Sequence, residues 1–294
     1  MTPLLEVKNL VKKYDNLVAV DGISISIEPG VCFGLLGPNG AGKTTTIEVI
    51  ENVIPPTSGE ILYRGRPRSF SFKEDVGIQF QHTALLSFLT VRETLKTFQS
   101  LYSRSCDLDE LVEMCHLQEF QHQHNDKISG GQRQRFMLAL ALVNQPELIF
   151  LDEPSTGLDP QARRNLWDVI EQIKKDGKTV ILTTHYMEEA QHLCNEVAIM
   201  DYGKILTQGS PDTLIKKYSA EITVILPKKD TDQAWNELSL KYYEFADRIE
   251  INTSDLNACL EELLSQRIDL TEMTVRGSNL EDVFLNLTGR QLRE

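Results

Sequence analysis

Cysteine is scarce: the 294-residue chain has 5. They are Cys32, Cys106, Cys115, Cys194 and Cys259, with no CxxC pairing and an odd count, which argues against a disulfide framework and for free thiols in a reducing compartment. Long apolar runs are missing too. The longest, Phe136 to Val143, falls far short of the roughly 20 residues that cross a bilayer, so any work at a membrane is expected to pass through another protein. The start, Met-Thr-Pro-Leu-Leu-Glu, has neither the basic head nor the apolar core of a signal peptide, and export of the chain itself is not expected. Positive charge is in deficit. The 30 Lys and Arg against 43 Asp and Glu leave a formal charge of -13, and no basic stripe offsets the resulting repulsion from a phosphate backbone. Nucleic acid is not an expected partner. There is no long repeat and no low-complexity tract.

What remains is an ordinary globular composition, 41% hydrophobic and 25% charged. The length exceeds the usual single domain of roughly 100 to 200 residues, which predicts one large domain and a smaller one. Short apolar runs at Val31 to Leu36, Leu148 to Leu151 and Thr179 to Thr184 read as buried strands separated by amphipathic helices. That alternation predicts an α/β fold with a largely parallel sheet. Period-two patterns at Leu4 to Val7 and Ile23 to Ile27 add an antiparallel sheet. Residues 90 to 145 read as helical almost throughout, a helical subdomain. Beyond Gly209-Ser210-Pro211 a short helix is expected to end near Tyr218. A new rhythm then opens at the strand-like Glu221 to Leu226, so the domains are expected at 1–218 and 219–294. The smaller one reads as an α/β module: strand, helix (Asp232 to Tyr243), strand (Arg248 to Asn252), helix (Leu256 to Gln266), strand (Leu270 to Val275) and helix (Leu280 to Leu287).

The segment Gly37-Pro38-Asn39-Gly40-Ala41-Gly42-Lys43-Thr44 satisfies the P-loop pattern and stands where mechanism requires it, after a strand and at the start of a helix. Its glycines let backbone N–H groups turn toward phosphate oxygens, and the helix N-terminus adds partial positive charge. Lys43 is placed to meet the β- and γ-phosphates and Thr44 to ligate Mg2+, with Thr45 completing the phosphate-binding set. The run Leu148-Ile149-Phe150-Leu151-Asp152-Glu153 delivers two carboxylates to a sheet edge. Asp152 suits a metal ligand and Glu153 a base that orients or deprotonates water. In Ile128-Ser129-Gly130-Gly131-Gln132, a serine able to cap a helix precedes two glycines that admit a close anion. His116, His122 and His124 cluster in a polar stretch whose spacing matches no tetrahedral metal site and read as a solvated helix end.

Taken together and in chain order, these motifs resemble the ATP-binding cassette (ABC) ATPases over about residues 4 to 217. Ser129 to Gln132 is similar to that family's signature, with Ile128 in place of the more usual leucine. The resemblance implies further site residues: Tyr14 as the aromatic that stacks on adenine, Gln81 as the Q-loop glutamine beside the metal, Asp159 as the D-loop aspartate and His185 as the switch histidine. It implies ATP and Mg2+ as cofactors and a homodimer in which one copy's P-loop and the other's signature enclose each ATP. Separate transmembrane permease subunits are implied as partners, with the chain cytoplasmic at the inner face of the membrane. The tail Ser278-Asn279-Leu280-Glu281-Asp282-Val283-Phe284-Leu285-Asn286-Leu287-Thr288-Gly289 resembles the ending of bacterial daunorubicin-resistance and sodium-extrusion ATPases and implies export. An importer ATPase with a regulatory C-terminal domain, and a soluble ABC ATPase of translation or DNA repair, stand as alternatives.

Overall fold

The computed structural model describes residues 2–69, 71–80, 83–219, 222–228, 235 and 239–289. They fall into two compact units, Met1–Pro211 and Asp212–Gln291. In the first, alternating residues of β1 (Leu5–Tyr14) and β2 (Leu17–Ile27) turn one face inward, and the strands form an antiparallel hairpin. The five residues of β3 (Cys32–Leu36) are all buried, as a central parallel strand covered on both faces should be. α1 (Lys43–Ile50) follows. β4 (Ser58–Tyr63) and β5 (Arg66–Pro67) complete a four-stranded sheet in the order β2-β1-β4-β5. After α2 (Phe72–Asp75) and β6 (Val76–Gln79) come three helices, α3 (Val91–Gln99), α4 (Leu108–Met114) and α5 (Gly130–Leu142). The unit closes with β7 (Leu148–Asp152), α6 (Pro160–Lys175), β8 (Thr179–Thr184), α7 (Met187–Leu193), β9 (Glu196–Asp201) and β10 (Lys204–Gly209).

The second sheet of this unit runs β10-β9-β3-β8-β7-β6. Five strands are parallel and β10 pairs antiparallel to β9. Its core joins Phe33, Leu35, Phe150 and Ile181 to Leu5, Val7 and Ile25 of the antiparallel sheet and Ile47 and Ile50 of α1.

The 212–291 unit contains most of α8 (Pro211–Tyr218), so the compact unit starts earlier than the expected boundary at 218. Its sheet, β12-β13-β11-β14, is antiparallel throughout and comprises β11 (Ile222–Pro227), β12 (Tyr242–Glu244), β13 (Arg248–Thr253) and β14 (Thr274–Arg276). Val224, Leu226, Ile249 and Ile251 pack with Cys259 and Leu263 of α9 (Leu256–Ser265). Asp255 caps α9 by accepting from Ala258 N–H, and α10 (Leu280–Thr288) is capped by Asn279.

Three local expectations change. Residues 115–129 are not helical, because α4 ends in a Schellman turn: His116 takes φ 52° while its N–H and that of Leu117 return to Glu113 and Val112 carbonyls. Of the helix expected over 232–243, Tyr242 and Tyr243 belong instead to strand β12; 231–234 and 236–238 lie outside the described residues. The strand expected from Leu270 starts at Thr274, because Asp269 accepts from Thr271 N–H and hydroxyl and turns the chain first.

Candidate functional site

Because β3, β8 and β7 are adjacent and parallel, their carboxyl ends open at one edge of the sheet, where α/β folds bind ligands. From β3 the chain enters the glycine loop. A Cβ on Gly37 would stand 2.1 Å from Met200 O, and one on Gly42 2.3 Å from Ala19 O, with Gly42 also at φ 101°. Only glycine lets this loop wind tightly between β2 and β9. Gly42 is the N-cap of α1, which carries Lys43, Thr44 and Thr45 into a cavity of about 460 Å³ also lined by Asn39, Gly40 and Glu153.

Lys43 is 4% exposed. Its Nζ donates to Gly37 O at 2.9 Å and Pro38 O at 3.2 Å and lies 3.5 Å from Glu153 Oε1. Burial pulls its pKa down, against the opposing field of Glu153. At the end of β7, Asp152 Oδ1 accepts from the hydroxyls of Thr44, at 3.4 Å, and Thr183. Burial raises the Asp152 pKa, with repulsion from Glu153 adding to it and the Thr183 bond opposing it. Glu153 adopts φ 48°, and its N–H donates to both the carbonyl and hydroxyl of Thr183, each at 3.1 Å. A bulky residue in that conformation stores strain of order 1–3 kcal/mol, held here by the bonds to β8. Its Oε2 accepts from Thr156 Oγ1 at 3.1 Å and stands 3.3 Å from His185 Nδ1. The sheet thus gathers Lys43, Thr44, Asp152, Glu153 and His185. Paired hydroxyl and carboxylate oxygens on Thr44 and Asp152 are hard donors of the kind Mg2+ takes.

The other sequence-predicted residues lie elsewhere. Ser129 N-caps α5 in a capping box, donating from its N–H to Gln132 Oε1 at 2.8 Å and accepting from Gln132 N–H at 3.3 Å. Asp159 caps α6 through Ala162 N–H at 2.8 Å. Ser129, Gly130, Gly131, Gln132 and Asp159 line a separate cavity of about 450 Å³. Tyr14 is 43% exposed at the end of β1, with Lys12 Nζ 4.9 Å from its ring centre, and it does not line the Lys43 cavity. Pro38 and Ala41 belong to the loop, while Gln81 lies outside the described residues. Gln79, its neighbour in sequence, is buried, with Nε2 donating to Gln134 Oε1 at 2.8 Å.

Two residues escaped the sequence reading. Glu51, at the C-cap of α1, is 5% exposed, and its pKa is pushed up to about 8 by burial first, then by the fields of Asp152 and Glu48. A carboxylate four residues after Ile47 and directly after Val49-Ile50, on the apolar side of a helix, was its only signal. Tyr202 lines the Lys43 cavity; its signal was a glycine between two strand patterns, where a tight hairpin is expected, preceded by a residue that such turns do not select.

The chain is similar to known proteins over its whole length. The family model described as ABC transporter matches residues 20–156, and one described as AAA domain, putative AbiEii toxin, Type IV TA system, matches 124–189. Nod factor export ATP-binding protein I of Burkholderia thailandensis is 36% identical over 99% of this chain and 98% of its own. Its counterpart from Cupriavidus metallidurans is 35% identical over 100% of both. A solved ATP-binding subunit of an ABC transporter superposes with a TM-score of 0.66 at 27% identity, covering 73% of this chain and 93% of that one. Among the described residues no helix is long and apolar enough to cross a membrane.

Proposed function

Since this chain belongs to the ATP-binding subunits of ABC transporters, we propose that it drives export by hydrolysing ATP between two copies of itself. The observation that carries the reading is the division of the motifs between two cavities. Lys43, Thr44 and Glu153 line one and Ser129 to Gln132 the other. Both are prepared for anions, and a head-to-tail pair of copies supplies each nucleotide with both halves. Two subunits of charge -13 repel each other, so the nucleotide that bridges them decides when they close. Hydrolysis removes the bridging phosphate and lets them part.

Within the site, the P-loop backbone and Lys43 take the β- and γ-phosphates. The field of those phosphates draws the Lys43 ammonium from Glu153, and the released carboxylate accepts the proton of the attacking water. His185, next to Glu153 Oε2, faces the γ-phosphate and links its loss to movement at the end of β8. Thr44 and Asp152, with Gln81 by the family resemblance, would hold Mg2+, which would neutralise phosphate charge. By the family resemblance Tyr14 takes one face of the adenine, and Asp159 belongs to the signature half of the interface. Separate transmembrane permease subunits carry the pathway, with this chain at the cytoplasmic face of the membrane; the relatives named for export support that direction.

The test is Glu153→Gln. ATP binding stays within about twofold of the parent, hydrolysis falls at least a hundredfold, and ATP traps a dimer visible by size-exclusion chromatography. Intact turnover would remove Glu153 from the water-activating role.

A further inference from the structure

We propose that Tyr202 is a specificity-determining residue, giving an aromatic face to the base and ribose of the nucleotide in the Lys43 cavity. The proposal rests on the nucleotide-site reading above. It begins with a residue the local backbone disfavours. Strands β9 and β10 pair Asp201 with Lys204, leaving a two-residue turn of Tyr202 and Gly203 at φ 46° and 78°. Such a turn requires positive φ at both positions and selects Asn-Gly or Asp-Gly. A ring in the first position is therefore unfavourable for the turn, and an outlier of this kind points to function.

The turn is also fixed with respect to the phosphate loop. Gly203 N–H donates to Ala41 O at 2.9 Å and Gly203 O accepts from Asp21 N–H at 2.8 Å, so the ring is carried on backbone tied to both the glycine loop and β2. Tyr202 is 67% exposed yet lines the same cavity as Lys43 and Thr44, together with the exposed Leu17 and Val18. The charged end of the cavity suits phosphates. The apolar Leu17, Val18 and Tyr202 suit the remainder of a nucleotide, and a flat base stacks on an aromatic ring.

The experiment titrates ADP and pyrophosphate, each with Mg2+, into the parent, Tyr202→Asn, Tyr202→Phe and Lys43→Ala proteins by calorimetry, with urea unfolding alongside. Tyr202→Asn raises the ADP Kd about tenfold and leaves pyrophosphate affinity unchanged. Its stability is equal to or above the parent's, because Asn suits the left-handed turn position. Tyr202→Phe retains ADP affinity. The proposal is overturned if Tyr202→Asn binds ADP like the parent, or loses pyrophosphate equally, which would mean that the turn acts only by shaping the glycine loop. Lys43→Ala separates the two readings: loss of both ligands upholds the phosphate site whatever Tyr202 does, and unchanged binding of both refutes the site itself.

Discussion

Replacing Glu51 with Gln should stabilise the protein in proportion to pH. Glu51 is 5% exposed at the end of α1 and its carboxyl titrates at about 8 rather than 4.5, burial being the main cause and Asp152 and Glu48 the others. Below pH 4.5 the carboxyl is protonated in both folded and unfolded chains, and its contribution to folding is fully present. As pH rises from 4.5 to about 8, the unfolded chain gives up the proton that the folded one keeps, so stability falls by about 1.36 kcal/mol per pH unit. The loss reaches about 3 kcal/mol at pH 7 and about 5 kcal/mol once the folded group has titrated. Gln has nearly the same shape and no proton to lose. Urea unfolding, followed by the fluorescence of buried Trp167 in a Trp235→Phe background, should show Glu51→Gln pulling ahead of its parent from pH 5 to pH 8. Parallel curves would show that Glu51 ionises in the fold as it does in water, and the argument from burial would fail.

Other expectations follow from single contacts. Gly77→Ala places a Cβ 1.8 Å from Ala141 O, so it should cost about 3 kcal/mol of stability; an unchanged urea midpoint would show that β6 and α5 separate freely. Ser129→Ala removes a capping side chain and should cost about 1 kcal/mol, whereas Ser129→Gly costs a few tenths. If both substitutions abolish the ATP-trapped dimer of Glu153→Gln, the serine acts on the partner's nucleotide; if only the alanine does, its role is the cap. Thr183→Val takes a donor from Asp152 and an acceptor from Glu153 N–H. It should slow Mg2+-dependent hydrolysis about tenfold while ADP binding without metal stays unchanged, a split read by steady-state rates and calorimetry.

The glycine loop, the carboxylates after Leu151 and the serine before two glycines were legible because each is a local rule. Phosphate cradling, strand termination and helix capping are decided within a few residues, and composition and periodicity alone announce the α/β alternation. The second domain was less legible. At Asp269 a side chain captures the backbone N–H of Thr271, and in the first domain a left-handed residue, His116, likewise ends a helix; both override an apolar rhythm that continues through them.

The sequence by itself determined a glycine loop of the kind that cradles phosphate, two carboxylates at the end of a strand and a serine that caps a second helix, since these depend on neighbours along the chain. Only the tertiary structure decided that Thr183 of β8 bonds both Asp152 and the backbone of Glu153, that Lys43 lies against Glu153, and that Ser129 lines a different cavity. It also decided that burial pushes the Glu51 carboxyl up and that Tyr202 lines the cavity of Lys43. Those outcomes depend on which strands lie side by side and on how much water is excluded between them, and residues far apart in the chain acquire a common field or a common cavity only when the sheet assembles.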